Sequence, residues 1–331
     1  MSAKTKVQKE TMEARSKYES DRGDAMKAIV EKGNGASERV AKPPYRDRLG
    51  VGISRFMTRA VALYFRVRKG KAPATIRRHQ YGPNAAEYLE LIPAAPTSPP
   101  KTAIVYFHGG GWVSGSSDIA TYRLLDFAAA GHPVFNVEYP LAPEYPHPQP
   151  LRSTLAALVW IRRHHPEYES VHLMGDSSGA NLVMMAAIMI SNPGVAQSLG
   201  VEMTGELPTI ASVVSIQGVL DRLTWIEDGF GPASLMLRSY AGQRALAAEV
   251  APHLSVTPMD LTFDSLPPTF IVAGSKDRLA RSSQVCADRF HQQGFNVEYK
   301  VYEGARHGFF TFNQPESRQL VDDIHKFLAS R

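Results

Sequence analysis

Residues 171–181 read VHLMGDSSGAN, and LVMMAAIMI follows at once at 182–190. A short apolar run meets Gly175, passes Ser177 and Ser178, reaches Gly179 and then turns apolar for nine residues. The short run reads as a buried strand and the longer one as a buried helix. G-x-S-x-G at such a strand-to-helix junction holds its central serine on a tight, strained turn, with the hydroxyl at the sheet's edge facing a cleft. Gly175 and Gly179 lack a Cβ, so strand and helix can close around Ser177. The amino end of the helix supplies unpaired N–H groups and partial positive charge, which makes the Ser178 N–H a candidate oxyanion donor. A glycine-flanked turn of no chemical consequence fits the same letters, so the rest of the chain must decide.

A serine hydroxyl is a weak nucleophile near neutrality and needs a base, which in turn needs an orienting acid. With G-x-S-x-G at the serine, acid and histidine follow in that order, each just after a late strand. Asp277 in FIVAGSKDRL and His307 in YEGARHGFF occupy those places. Taken singly, Asp277 could cap a turn and His307 could be a loop histidine. All three at expected strand ends point jointly to nucleophilic catalysis. FHGGGW at 107–112 also follows a buried strand. Its glycines let backbone N–H groups converge on one small space, with Gly109 and Gly110 as the expected donors beside Ser178. A phosphate cradle is the competing use, but neither G-K-[ST] nor G-x-G-x-x-G is present. His108 is expected to fix the loop by hydrogen bonding.

Outward from these motifs the text alternates between strand and helix patterns. Strands are expected at 88–92, 102–108, 133–139, 171–175, 211–217, 269–274 and 297–303, with helices near 118–131, 151–164, 178–191, 280–293 and 316–329. The implied fold class is α/β: a mostly parallel sheet covered by helices on both faces. Residues 222–255 break the rhythm with helical patches and no strand, as an insertion over the sheet's end would.

The chain has 331 residues, 44% of them hydrophobic and 21% charged. That composition supports a large core and an ordinary globular protein. One cysteine, Cys286, cannot form an internal disulfide, which suits a reducing, cytoplasmic setting. The first twenty residues lack the apolar core of a secretory signal, and no apolar run approaches the roughly 18–20 residues that span a bilayer. Charge is uneven: residues 1–80 carry 20 basic against 8 acidic side chains, whereas the remainder is net acidic. A solvated helical arm explains this most simply; an anionic membrane surface is the sharper alternative. No nucleic-acid signature accompanies the charge. Within 53–67, Ile53, Phe56, Met57, Ala60, Tyr64 and Val67 share one helical face and Arg55, Arg59 and Arg66 lie opposite. This helix is expected to lie over the body of the protein, with weak membrane contact as the second reading.

The motifs together resemble the hormone-sensitive-lipase-like esterases, a branch of the α/β-hydrolase superfamily, over roughly residues 100–330. HGGGW resembles that family's oxyanion loop, EYPLAPEYPHP (138–148) its Y-R-L-A-P-E-x-P-F-P segment, and GDSSGAN its G-D-S-A-G-G-N. LPPTFIVAGSKDRL and YEGARHGF resemble its acid and histidine segments. The chain departs from the family where Pro140 replaces an arginine, Ala180 a glycine, and Arg281 and Ser282 an acidic pair. The resemblance implies an α/β-hydrolase domain at 81–331, capped by helices from an N-terminal arm (1–80) and by the insertion at 222–255. It implies a serine carboxylesterase for short- to medium-chain esters, using Ser177, Asp277 and His307 and no metal or organic cofactor. Two alternatives stay open: an amide-cleaving serine hydrolase of the arylformamidase or deacetylase type, and a non-catalytic ligand-binding protein. Trp112, Trp225, Met236 and Phe309 are candidate pocket residues, with core packing the competing role for each. The expected partners are a small-molecule ester, a membrane surface met through the basic helix, and a second copy of the chain.

Overall fold

Apolar runs that alternate with helices form one sheet, and its inner strands bury both faces. The computed structural model describes residues 44–69, 73, 75–95, 102–228, 230–312 and 314–331. Of the arm expected at 1–80, residues 1–43, 70–72 and 74 lie outside these described residues. Helix α1 (Tyr45–Lys69) precedes β1 (Arg77–Gln80), β2 (Tyr88–Ile92) and β3 (Ala103–Phe107). Helix α2 (Ser117–Ala129), β4 (Val134–Val137), α3 (Gln149–His164), β5 (Ser170–Asp176), α4 (Ser178–Ser191), α5 (Pro193–Ser198) and β6 (Thr209–Ile216) follow. The chain ends through α6 (Arg222–Glu227), α7 (Ala233–Ala241), β7 (Thr269–Gly274), α8 (Ala280–Gln292), β8 (Val297–Tyr302) and α9 (Glu316–Ala329).

The described residues form an eight-stranded sheet in the order β1-β2-β4-β3-β5-β6-β7-β8. Pairing is antiparallel at β1/β2 and β2/β4 and parallel from β4 to β8. Strands β3, β4 and β7 are buried along their whole length. Alternate side chains serve the two faces, as the strand period requires. Val105 and Phe107 of β3 join one core with Leu158 of α3, Leu182 of α4 and Phe290 of α8. Ile104 and Tyr106 join the other with Leu124 of α2 and Ile324 of α9. Strand β1, with the sequence RRHQ, is an edge element without an apolar signal. It is registered on β2 with Arg78 over the Tyr88 ring (4.0 Å) and against Glu90 (2.8 Å).

The described residues of 222–255 form α6, α7 and short 3-10 turns, and no strand. Arg222 ties this stretch down: it is buried, ion-paired with Asp260 at 2.9 Å, and donates to the carbonyls of Ala245, Ala247 and Ala248. A buried guanidinium needs such saturation to offset its desolvation. Helix α1 lies over the body, but by the face opposite its apolar stripe. Arg55 turns inward to the carbonyls of Val113 and Ala142 (both 2.8 Å) and to Glu144, while Asp47 pairs with Arg238 of α7 at 2.7 Å. Phe56 and Val67 are 72% and 77% exposed, and Ile53, Met57 and Tyr64 are exposed with them. No helix among the described residues is long and apolar enough to cross a membrane.

Candidate active site

The three expected site side chains meet at the carboxyl ends of parallel strands. Ser177 sits between β5 and α4 with φ 53° and ψ −117°. A side chain in this left-handed region is strained, at a cost on the order of 1–3 kcal/mol. The strain is held from several sides: Ser177 N–H donates to Ile216 O (2.8 Å), its carbonyl accepts from Asn181 and Val219, and Asn181 bridges to the carbonyls of Val219 and Val256. A Cβ on Gly179 would overlap the Phe107 carbonyl at the end of β3, so only glycine lets α4 begin this close to the sheet.

His307 Nε2 lies 3.2 Å from Ser177 Oγ, and its Nδ1 lies 2.9 Å from Asp277 Oδ2. Because a carboxylate only accepts, Nδ1 carries the proton and Nε2 is left to accept from the serine hydroxyl. The second carboxylate oxygen, Oδ1, accepts from Leu279 N–H at 2.9 Å. Burial lowers the histidine's pKa, but the hydrogen bond and charge of Asp277, with the charge of Asp176, outweigh it, and the net shift is upward. Asp277 is buried, whereas about a third (32%) of the His307 side chain faces the cleft. Phe230 stands edge-on over the imidazole, with ring centroids 6.0 Å apart.

The glycine loop lies against this group and is braced from behind. His108 is buried, donates from Nδ1 to Gly109 O (2.8 Å), and pairs through Nε2 with Glu138 at 2.8 Å. Since the Gly109 carbonyl and the carboxylate both accept, both ring nitrogens are placed as donors. Burial lowers the His108 pKa, but Glu138 more than restores it and the net shift is upward. Tyr139 stacks on the same ring (4.5 Å) and donates to His108 O. The EYP segment therefore buttresses the loop. Gly109 departs from expectation: its N–H is committed to Asp176 Oδ1 at 2.9 Å and is not free for an oxyanion. The amides of Gly110, Gly111 and Ser178 take no partner among the described residues. Gly110 and Gly111 have φ of 131° and 61°.

The pocket candidates divide. Trp112 is fully buried, stacked on Tyr240 (4.3 Å) and edge-on to Trp225, which is buried as well; both serve the core under the loop. Phe309 is fully buried in the opposite core against Tyr302, so it faces away from a cleft. Met236 is partly exposed, and its sulfur occupies the space a Cβ on Gly111 would need. Among the described residues, no group of three His, Cys, Asp or Glu side chains could hold a metal ion.

The family model for the alpha/beta hydrolase fold matches residues 104–311, more than half of the chain. The chain belongs to the α/β-hydrolase family. This α/β-hydrolase is 26% identical over 231 residues to an esterase of Acinetobacter venetianus, a match covering 69% of the chain and 74% of that protein. It is 27% identical over 237 residues to the acetyl esterase of Salmonella choleraesuis, covering 68% and 69%. The crystal structure of esterase B from Lactobacillus rhamnosis superposes with a TM-score of 0.72 at 20% identity, over 86% of this chain and 95% of that one. Membership of the hormone-sensitive-lipase-like branch accords with these matches, and the protein is a serine-type carboxylic ester hydrolase.

Gln217 and Phe230 were not among the residues singled out from the sequence. Phe230 sits in an insertion without periodicity. Gln217 carries only the weak signal of a polar residue before Gly218 at a strand's end.

Proposed function

We propose that this α/β-hydrolase cleaves short- to medium-chain carboxylic esters through a covalent acyl-enzyme on Ser177. The observation that carries the reading is one imidazole bridging Ser177 Oγ and Asp277 Oδ2. His307 Nε2 takes the hydroxyl proton as Oγ bonds to the ester carbonyl carbon, and the carbonyl π pair moves onto oxygen. Asp277 stays ionised, keeps the Nδ1–H tautomer and stabilises the imidazolium. The oxyanion receives the free N–H groups of Gly110, Gly111 and Ser178, the last at the first residue of α4. Collapse of the intermediate breaks the carbon–alkoxide bond, and His307 Nε2–H protonates the leaving alcohol. Water then enters, gives its proton to His307 and attacks the acyl carbon. The second collapse releases the acid and returns the proton to Ser177. Phe230 and Met236 flank this chemistry, and α1 with residues 222–255 serves as the cap. Ser177→Ala should lower kcat by several orders of magnitude while the protein stays folded. Retention of wild-type turnover on matched ester substrates would overturn the assignment, and faster turnover of the corresponding amides would overturn the ester class.

The base must be neutral to act. Its raised pKa places the acid limb of kcat/KM above the ordinary histidine value of about 6.5. Activity is therefore full above that limb and lost as pH falls through it. A limb centred below about pH 6 would show that a group other than this paired imidazole sets the rate.

For a partner, the reading favoured by α1 is an anionic lipid surface. The outward crest of Leu49, Ile53, Phe56, Leu63 and Val67 runs between exposed arginines, Arg48 and Arg59 on one flank and Arg46 and Arg68 on the other. The helix's one acidic residue, Asp47, is buried against Arg238, so no carboxylate opposes lipid phosphate there. Apolar insertion and about 1 kcal/mol per surface arginine would act together. Co-sedimentation with phosphatidylserine vesicles at low salt, lost at high salt, is the expected result. Equal binding to neutral vesicles, or sedimentation without vesicles through self-association, would defeat it.

A further inference from the structure

We propose that Gln217 is a positioning residue that locks the acid and the base of this site into one unit. The inference rests on the catalytic reading of Ser177, Asp277 and His307 and deepens it. Gln217 follows β6 directly and is buried to 2% exposure. Its side-chain Nε2 donates to Asp277 Oδ2 at 2.6 Å, the same oxygen that accepts from His307 Nδ1. The second Nε2 hydrogen goes to Arg306 O at 3.1 Å, and Oε1 accepts from Gly308 N–H at 2.8 Å. One amide thus grips the aspartate and the backbone on both sides of His307. These partners also fix which way the amide faces, since the reversed orientation would set its oxygen against a carboxylate and a carbonyl and its NH2 against an N–H donor.

The backbone at this position supports the assignment independently. Gln217 has φ 51°, one of three non-glycine residues with positive φ among the described residues, the others being Ser177 and Trp112. Its own N–H is tied to Val272 O at 2.8 Å, so the unusual conformation is imposed by the neighbouring strand β7. A plain turn at the end of β6 would be met more easily by glycine, and Gly218 stands one residue later. Glutamine in that conformation sends an uncharged two-way amide where leucine or glutamate could not serve. It spreads the aspartate's charge without adding any, and it sets the imidazole's height through the 306–308 backbone.

Two variants test this. Gln217→Met keeps the volume and removes every side-chain hydrogen bond. It should lower kcat by about 10²-fold with KM little changed, since a small displacement of the base is enough. The acid limb of kcat/KM should also move to higher pH, because Asp277 without its amide donor attracts imidazolium more strongly. Gln217→Glu keeps the shape and the acceptor for Gly308, but turns the donor facing Asp277 into an acid. It should create an alkaline limb absent from the wild type, as the glutamate ionises beside Asp277 and loses its ability to donate. A merely structural role would move neither limb. A folded Gln217→Met protein with wild-type kcat and acid limb would overturn the inference, and so would a Gln217→Glu profile without the new limb should the methionine variant fail to fold. Ser177→Ala measured alongside separates the two failures: if it is inactive while the Gln217 variants match wild type, only the clamp is wrong; if it is active, the site reading itself is wrong.

Discussion

Helices α4 and α1 both border the site, and they are held by opposite means. Helix α4 is buried from Ser178 through Met189 and starts in contact with the backbone of β3. Helix α1 buries Asp47 and Val51 and turns most of its large apolar residues outward. Its grip on the body is largely polar: Arg55 on two carbonyls, Asp47 on Arg238, and the Ser54 and Ser114 hydroxyls 2.8 Å apart, with Val51 and the Phe65–Phe312 ring pair as the apolar contacts. Close-packed apolar contact has no slack, so α4 fixes the serine's strained turn. A few long polar side chains fix a helix at points, and such a helix can shift without disturbing the sheet. Ser177 therefore sits at the start of the stiff element, whereas α1 is the adjustable one.

The largest effect should come from Gly179→Ala. The added methyl meets the carbonyl oxygen of Phe107, which belongs to a central strand and cannot turn aside. Ordinary overpacking costs about 1–3 kcal/mol, and a clash with fixed backbone exceeds that range. Denaturant unfolding should show a severe loss or no soluble protein at all. If the variant folds with wild-type stability, α4 has room to move and the contrast with α1 fails.

Arg55→Met comes next. It removes the donors to Val113 O and Ala142 O and leaves those carbonyls to water or to nothing. The loss, confined to the docking of α1 on the body, should be about 1–3 kcal/mol. The Glu144 end adds little, because that carboxylate is 55% exposed and the pair is screened. Val113 follows the glycine loop and Ala142 lies within the PLAPE segment, so the acyl-transfer rate should fall modestly while the sheet keeps its global unfolding midpoint. Hydrogen exchange that quickens in α1 alone would sharpen the comparison; exchange that quickens equally in α4 would break it.

The same contrast explains how much could be read without coordinates. The strands from β2 to β8 are apolar or alternating runs bounded by turns, and each is found within a residue or two of its expected place. The serine's turn, the aspartate and the histidine were legible because backbone strain and strand ends leave marks in the letters: paired glycines, and polar residues after apolar runs. Strand β1 was not legible, because an edge strand of RRHQ is stabilised by pairing and by Arg78, not by burial. The role of Gly109 misled for a related reason. Three adjacent glycines say that amides converge, but which amide is already spent depends on Asp176 arriving from another strand. For α1, periodicity showed two faces and could not say which one meets protein. Arg55 decided that by reaching two carbonyls whose need for donors no local pattern records.

The smallest expected change in stability belongs to Phe56→Ser. Phe56 is 72% exposed on the outer face of α1, so removing its ring uncovers no core and opens no cavity. Serine lowers helix propensity only slightly, and substitutions at such a place usually stay within about 0.5 kcal/mol. Turnover of a water-soluble ester should be unchanged, because the ring touches none of the site's groups. Binding to phosphatidylserine vesicles should weaken, since a phenylalanine on the crest contributes apolar area to the interface and serine contributes none. A drop of several kcal/mol in unfolding free energy would mean that the outer face is packed against protein in solution. That result would reverse the orientation of α1, and with it the view that the adjustable element offers its apolar side to lipid.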